Sequence, residues 1–320
     1  MKQLRDHLIS QPSQINLSKQ IEFLFQQQIQ TWPLLKNNVE ALQNIERRKI
    51  AFKDFSFEIQ HNPARIHSTI ADTRKTVIEK RPCFLCVENL PSEQKGILLL
   101  KRYLLLANPY PIFQRHLTIS DISHSIQNIN GRIGDLLSIS QQLENYTVFY
   151  NGPASGASAP DHFHFQACPF GAMPIDNEID LLLTKQSKQI DEQNNIKISS
   201  IENYLRTVYV LESSDATTLE NYLTKLLKAL PFDTESNEPM INLMCNYQNG
   251  KHRMLLFPRI AQRPSFYFKT GDEQIVVSVA SVELGGIIVA PIKKDFERIT
   301  SDNLIQIFDE VCLNNRLLDY

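Results

Sequence analysis

The spacing of apolar side chains changes period along the chain, and each change delimits an element. Ile21, Phe23, Leu24 and Ile29, then Leu34, Leu35, Val39, Leu42 and Ile45, recur at three- and four-residue steps around a break at Pro33, which predicts a helical pair over 16–47. From 50 to 59 the period drops to two, as in a strand. Residues 97–107 form a nearly unbroken apolar run and predict one or two buried strands; 116–120 predicts another. Ile133, Leu136, Leu137, Ile139 and Leu143 mark the apolar face of a helix over 130–143, and 147–150 is again a strand. It leads into a Gly/Ser loop and the alternating run His162-Phe-His-Phe-Gln166.

Further along, 217–230 reads as a helix, 241–246 and 252–258 as strands around a Tyr-Gln-Asn-Gly turn, 274–279 and 285–291 as strands, and 302–317 as a capped closing helix. The order predicts an α+β fold, with antiparallel sheets carrying helices on one face. The pair of strands at 241–258 echoes the strand, loop and strand at 147–169. With Pro258 aligned to Pro169, Arg253 falls where His164 stands and Leu255 where Gln166 stands, so a second copy would lack the first copy's histidine. The expected division is an N-terminal helical segment at 1–48, a catalytic half at 49–175, an inserted connector at 176–238 and a degenerate second half at 239–320.

Composition narrows the functional classes. A formal charge of -2 over 320 residues provides no basic field for a nucleic-acid backbone. Five cysteines do not suggest a disulfide framework, and neither a secretory leader nor a membrane-length apolar run is evident, so a soluble cytoplasmic protein is expected.

The candidate chemistry lies in two clusters. In an extended chain His162, His164 and Gln166 share one face and Phe163 and Phe165 the other. Such a run also suits an ordinary half-buried strand. The loop before it changes the balance, because its backbone N–H groups and the hydroxyls of 155–158 can cradle an anion beside a nucleophilic imidazole. His164, in the middle of the row, is the candidate nucleophile, and Gln166 can donate to a phosphate oxygen. Upstream, Cys83-Phe-Leu-Cys86 supplies two ligands of a tetrahedral structural zinc site, whose other ligands would be His162 and either His124 or His116. His124 is the preferred fourth ligand, leaving His116 to line a substrate pocket. Asn62 and Arg65, in a polar segment after the 50–59 strand, are candidate phosphate or base contacts; His61, His67 and His252 read as ordinary solvated or capping histidines.

Together Cys83 to Cys86, Asn108 after its apolar strand, residues 111–116, the loop 151–158 and the His162-Phe-His-Phe-Gln166 run resemble the transferase branch of the histidine triad superfamily. That branch includes galactose-1-phosphate uridylyltransferase, diadenosine tetraphosphate phosphorylase and GDP-L-galactose phosphorylase. It carries glutamine in place of the last triad histidine, as at Gln166. The resemblance implies duplicated histidine-triad-like domains and nucleotidyl transfer through a covalent nucleotidyl-His164, with Gln166 on the phosphate. It also implies phosphate contacts from Asn151, Ser155, Gly156 and Ser158, a nucleoside bordered by Asn108 and the Phe84-bearing Cys turn, and an arginine-bearing segment at Asn62 to Arg65. The substrate would be a nucleotide sugar or dinucleoside polyphosphate, and the acceptor a phosphate or sugar phosphate. Residues 256–259, Arg263-Pro264 and 283–286 are similar to the second domain of the phosphorylases. The spacer from Ser158 to His162 is one residue longer than in the uridylyltransferases and diadenosine phosphorylases. A triad-like nucleotide hydrolase and a non-catalytic, zinc-stabilised nucleotide-binding protein are the alternatives, and a homodimer stays open.

Overall fold

A computed structural model describes residues 2–9, 16–70, 75–193, 195–233 and 237–313. After a short helix at Lys2–Asp6, the predicted pair forms as Leu17–Thr31 and Pro33–Gln43. Asn16 caps the first helix by accepting the Lys19 N–H, and Pro33 opens the second, where its missing N–H costs nothing. The run expected as one strand over 50–59 is two: β1 (Glu46–Ala51) and β2 (Ser56–His61) form an antiparallel hairpin, with the chain reversing at 52–55. The reversal leaves the alternation intact on either side, so the pattern alone looked continuous. The boundary expected at 48/49 therefore falls inside β1.

The first half of the chain contributes β3 (Gly96–Leu99), β4 (Tyr103–Ala107), β5 (Leu117–Asp121), β6 (Tyr146–Asn151) and β7 (His164–Pro169). Next come β8 (Ser187–Gln193), β9 (Ile196–Ile201), β10 (Tyr209–Ser213), a small two-stranded ladder of β11 (Phe232–Asp233) and β12 (Glu238–Pro239), then β13 (Ile241–Gln248) and β14 (Lys251–Pro258). Ten strands form one antiparallel sheet in the order β3-β4-β5-β7-β6-β13-β14-β10-β9-β8. Read from either edge inward, that order repeats: the chain lays three strands, crosses by a helix (Ile133–Gln142 or Ala216–Ala229) and returns with two. The chain is thus duplicated, but the second copy starts earlier than expected. Residues 176–238, expected as an inserted connector, supply three strands and the crossover helix of that copy. Their charged, mixed composition suits strands at the sheet's outer edge, where the burial pattern that marks a strand is weakest.

Both faces of the sheet are covered, which explains why β4 and β5 are buried throughout. One face packs Phe163, Phe165, Met254 and Leu256 against Leu136, Leu137, Leu219 and Leu223 of the crossover helices and against Leu24 and Leu35 of the N-terminal pair. The other packs Phe149, Leu255 and Phe257 against a three-stranded sheet, β1-β2-β15, in which β15 (Ile287–Ala290) runs parallel to β2. The apolar run at 274–279, expected as a strand, joins no ladder: Val277 N–H closes a tight turn on the Ile275 carbonyl, Val276 N–H bonds the Asp295 carboxylate and Val279 N–H the Gln262 carbonyl. The closing helix spans Ser301–Val311; residues 314–317 of the expected helix, and the His67 side chain, lie outside the described residues. Among the described residues no helix is long and apolar enough to cross a membrane.

Candidate active site

At the end of β5 the chain turns through Ser123 to Ser125, and just before β7 it returns through His162, so that both segments face the Cys turn. Donor atoms of Cys83, Cys86, His124 and His162 lie within 4.8 Å of one another. His162 Nδ1 is 3.3 Å from Cys83 Sγ and 3.5 Å from Cys86 Sγ, and His124 Nδ1 is 3.1 Å from Cys86 Sγ. The other side of the His162 ring fixes its tautomer: Nε2–H donates to the Asp121 carbonyl at 2.7 Å, so Nδ1 presents its lone pair to the sulfurs. Burial, with Cys83 alongside, pushes the Cys86 thiol up to about 12, so it stays protonated unless a cation between the sulfurs displaces the proton. Two sulfurs and two imidazole nitrogens suit a tetrahedral metal ion. His116 is not part of this group.

The nucleophile candidate opens β7. Its Nδ1–H donates to the His162 carbonyl at 2.9 Å, which leaves Nε2 as the ring nitrogen with a lone pair. Burial lowers the pKa of His164 to about 4, so the ring is neutral at physiological pH. Opposite faces separate as the alternation predicts: His164 and Gln166 border a cleft, whereas Phe163 and Phe165 are wholly buried against Tyr103 and Tyr150.

Gln166 is held from behind. The Ile112 N–H donates to His116 Nδ1 at 3.3 Å, and burial together with Arg65 drives the His116 pKa down to about 3. The neutral ring therefore carries its proton on Nε2 and donates it to Gln166 Oε1 at 2.8 Å. With its oxygen engaged, Gln166 has its NH2 left to offer the cleft.

The cleft has a volume of about 400 Å³ and is bordered by Arg65, Phe84, Asn108, Asn151, Gly156, Ser158, His164 and Gln166. Gly156 has φ +100°, and a Cβ there would meet the Ala280 Cβ at 2.5 Å, so only glycine lets the loop lie this close to the second half. Three expected residues do not border the cleft. Asn62 is buried, and its N–H bonds the Ala290 carbonyl. Ser155 is fully buried, because the turn that brings its N–H to the Gly152 carbonyl directs it inward. His116 stands behind Gln166. Asn108 borders the cleft with its amide already committed, its Nδ2–H donating to Thr118 Oγ1 and its Oδ1 accepting the Tyr110 N–H.

Gln127 carries no pattern that marks it as part of the site. Its Oε1 accepts the His164 N–H at 2.8 Å, while its Nε2 donates to the carbonyls of Asn151 (2.9 Å) and His164 (3.0 Å). Glu283, Arg263 and Gln262 complete the far side of the cleft. Burial raises the Glu283 pKa to about 7, and its Oε2 accepts the Ala280 N–H.

Two family models cover most of the chain. Residues 24–169 match a family described as a domain of unknown function (DUF4922), and residues 182–317 match one described as GDPGP1-like, C-terminal domain. The second match begins just ahead of β8, where the sheet order also starts the second copy. No curated protein matches the chain significantly. Yeast Ap4A phosphorylase Apa2 in complex with Ap4A shares the fold, with a TM-score of 0.59 and 18% identity over 88% of this chain and 94% of that one. The same yeast enzyme in complex with AMP gives 0.54 and 17% over 85% and 94%. The chain thus shares the fold of the yeast phosphorylase, its second half resembles the GDPGP1-like C-terminal domain, and the glutamine-bearing strand and doubled sheet agree with the resemblance to the transferase branch of the histidine triad superfamily.

Proposed function

We propose that the protein transfers a nucleotidyl group through a covalent bond to His164, taking it from a dinucleoside polyphosphate or a nucleotide sugar and passing it to phosphate or a sugar phosphate. The observation that carries this reading is the tautomer of His164. With Nδ1–H tied to the His162 carbonyl and the ring kept neutral by burial, Nε2 is a nucleophile at neutral pH.

In the first step Nε2 attacks the α-phosphorus, a P–N bond forms, and the P–O bond to the leaving phosphate breaks with its electron pair. The ring gains positive charge, and the His162 carbonyl, already accepting Nδ1–H, becomes the acceptor of a charge-assisted hydrogen bond. In the second step an acceptor oxygen attacks the same phosphorus and the electrons of the P–N bond return to Nε2. The Gln166 NH2 donates to a non-bridging oxygen in both steps; losing such a donor costs a factor of about 100 to 1,000 in rate. Phe84, half-exposed beside the Cys turn, gives a nucleobase a ring to stack on, and Arg81 lies over that ring at 4.8 Å.

The ion we assign to Cys83, Cys86, His124 and His162 is zinc, in a structural role. It would tie the start of the nucleophile strand to the Cys turn, and no chemical step passes through it.

Acceptor dependence tests this reading against hydrolysis by the same residues. Turnover of dinucleoside tetraphosphates and nucleotide sugars should rise with added phosphate or sugar phosphate. Turnover indifferent to both acceptors would mean that water is the acceptor.

A further inference from the structure

The second copy has Arg253 where the first has His164, and that arginine is spent on Glu212 and Asp180. A different part of the second copy reaches the cleft indirectly. Asn242 on β13 lies directly opposite Asn151 on β6, where the two copies join in the sheet. Its Nδ2 donates to Asn151 Oδ1 at 2.8 Å, and the Ser281 N–H donates to the same oxygen at 2.9 Å. Both lone pairs of that oxygen are then filled, so the Asn151 amide is fixed with its NH2 left for the cleft. The second hydrogen of Asn242 Nδ2 goes to the Ser155 carbonyl in the loop at 2.8 Å.

Asn242 is itself prevented from turning over. Its Oδ1 accepts from Arg259 Nη1 at 2.6 Å, and a flipped amide would set its NH2 against the guanidinium. Arg259 is held in turn by donating from Nε to the Val311 carbonyl, from Nη2 to the Ala261 carbonyl, and from both terminal nitrogens to the Val279 carbonyl. All three side chains are at least nine-tenths buried, where a donor facing a donor is too costly to persist.

We propose that Arg259 and Asn242 are positioning residues for phosphate binding: they orient the Asn151 amide so that it offers N–H groups, and no oxygen, to a phosphate in the cleft. This rests on the reading of the cleft as a phosphate site. It gives the copy without a nucleophile a defined task, parallel to that of His116 behind Gln166.

The test is a double-mutant cycle on the full, metal-loaded chain, with binding of inorganic tripolyphosphate measured by calorimetry and folding by thermal unfolding. Asn242→Asp keeps the size and the Arg259 partner, but it places an oxygen against Asn151 Oδ1 and forces that amide to turn. We expect Asn242→Asp, which also loses the bond to the Ser155 carbonyl, to unfold earlier than the parent yet still cooperatively, and to bind tripolyphosphate at least about tenfold more weakly, a change of about 1.4 kcal/mol. In an Asn151→Ala background the same substitution should change affinity less than twofold, because its effect runs through Asn151. Parent-like binding by Asn242→Asp, or a penalty that persists in the Asn151→Ala background, overturns the inference and leaves the phosphate site standing. A parent that binds no tripolyphosphate refutes the phosphate reading and the inference together. If Asn242→Asp does not fold, Arg259→Lys, which loses the fork that fixes Asn242, is carried through the same cycle with the same expected outcomes.

Discussion

Gln127 occupies a fork in the sheet. Pairing between β6 and β7 runs as far as Phe149 opposite Gln166, after which the strands part to admit the loop between them. In the gap the Gln127 amide serves as an inserted peptide group, accepting from His164 N–H and donating to the carbonyls of Asn151 and His164. Replacing it with methionine keeps the length and removes all of this. At about 1 kcal/mol for each of three buried hydrogen bonds, the loss is about 3 kcal/mol. For a chain of 320 residues, at about 2.1 cal/mol/K of unfolding entropy per residue, that lowers Tm by about 4–5 °C. The two strand ends it joins carry the proposed nucleophile and the proposed phosphate contact Asn151, and a displacement of about 1 Å there should slow transfer by about 100-fold. Thermal unfolding and rapid-quench measurement of the first turnover check the two effects separately. A Gln127→Met protein with the parent's Tm and first-turnover rate would refute this account of the fork.

Further outcomes follow from the same geometry. His116→Phe should fold yet slow transfer by about tenfold to a hundredfold, since Gln166 could then turn its oxygen to the phosphate; rapid-quench rates at saturating substrate measure this. Burial holds His164 at about 4 and His116 at about 3, below the ordinary 6.5. The first-turnover rate should therefore be level across neutral pH and fall as pH drops through about 4. The unfolded chain protonates these rings near 6.5 while the native one does not, so stability should decline as pH falls from about 6.5 toward 4, as followed by denaturant titration. Glu283, raised to about 7 by burial, ionises beside Arg65 as pH rises through that value. Tripolyphosphate affinity should then weaken relative to Glu283→Gln, and the ratio of the two proteins removes the titration of the ligand itself. Cys83→Ser or a strong chelator should remove about one zinc per chain, read by elemental analysis, and lower Tm.

What the sequence revealed, and what it hid, divides along physical lines. The His162 to Gln166 strand was legible because the period of two fixes which side chains share a face whatever the rest of the chain does. The Cys/His cluster was legible in its Cys turn, since two thiols at that spacing are a common ligand pair. The choice between His124 and His116 needed coordinates, because it depends on how far the chain runs past the end of β5. Loop residues were harder: Ser155 and Ser158 look alike in sequence, yet one side chain points into the protein and the other borders the cleft. Gln127 and Asn242 were invisible, since a lone amide in a loop or a strand has no pattern, and both act through the backbone or side chain of another residue. The charged segment 176–238 passed for a connector because its strands, β8 above all, interleave charged and polar side chains and lack the long apolar runs that revealed β4.

The most direct test of the central claim is the intact mass of the metal-loaded protein, quenched at neutral pH after brief incubation with dinucleoside polyphosphates and nucleotide sugars. The account predicts one added nucleotidyl group on the parent, located at His164, lost in mild acid and discharged by phosphate or a sugar phosphate, with no such addition on His164→Gly. The same adduct on His164→Gly would contradict it.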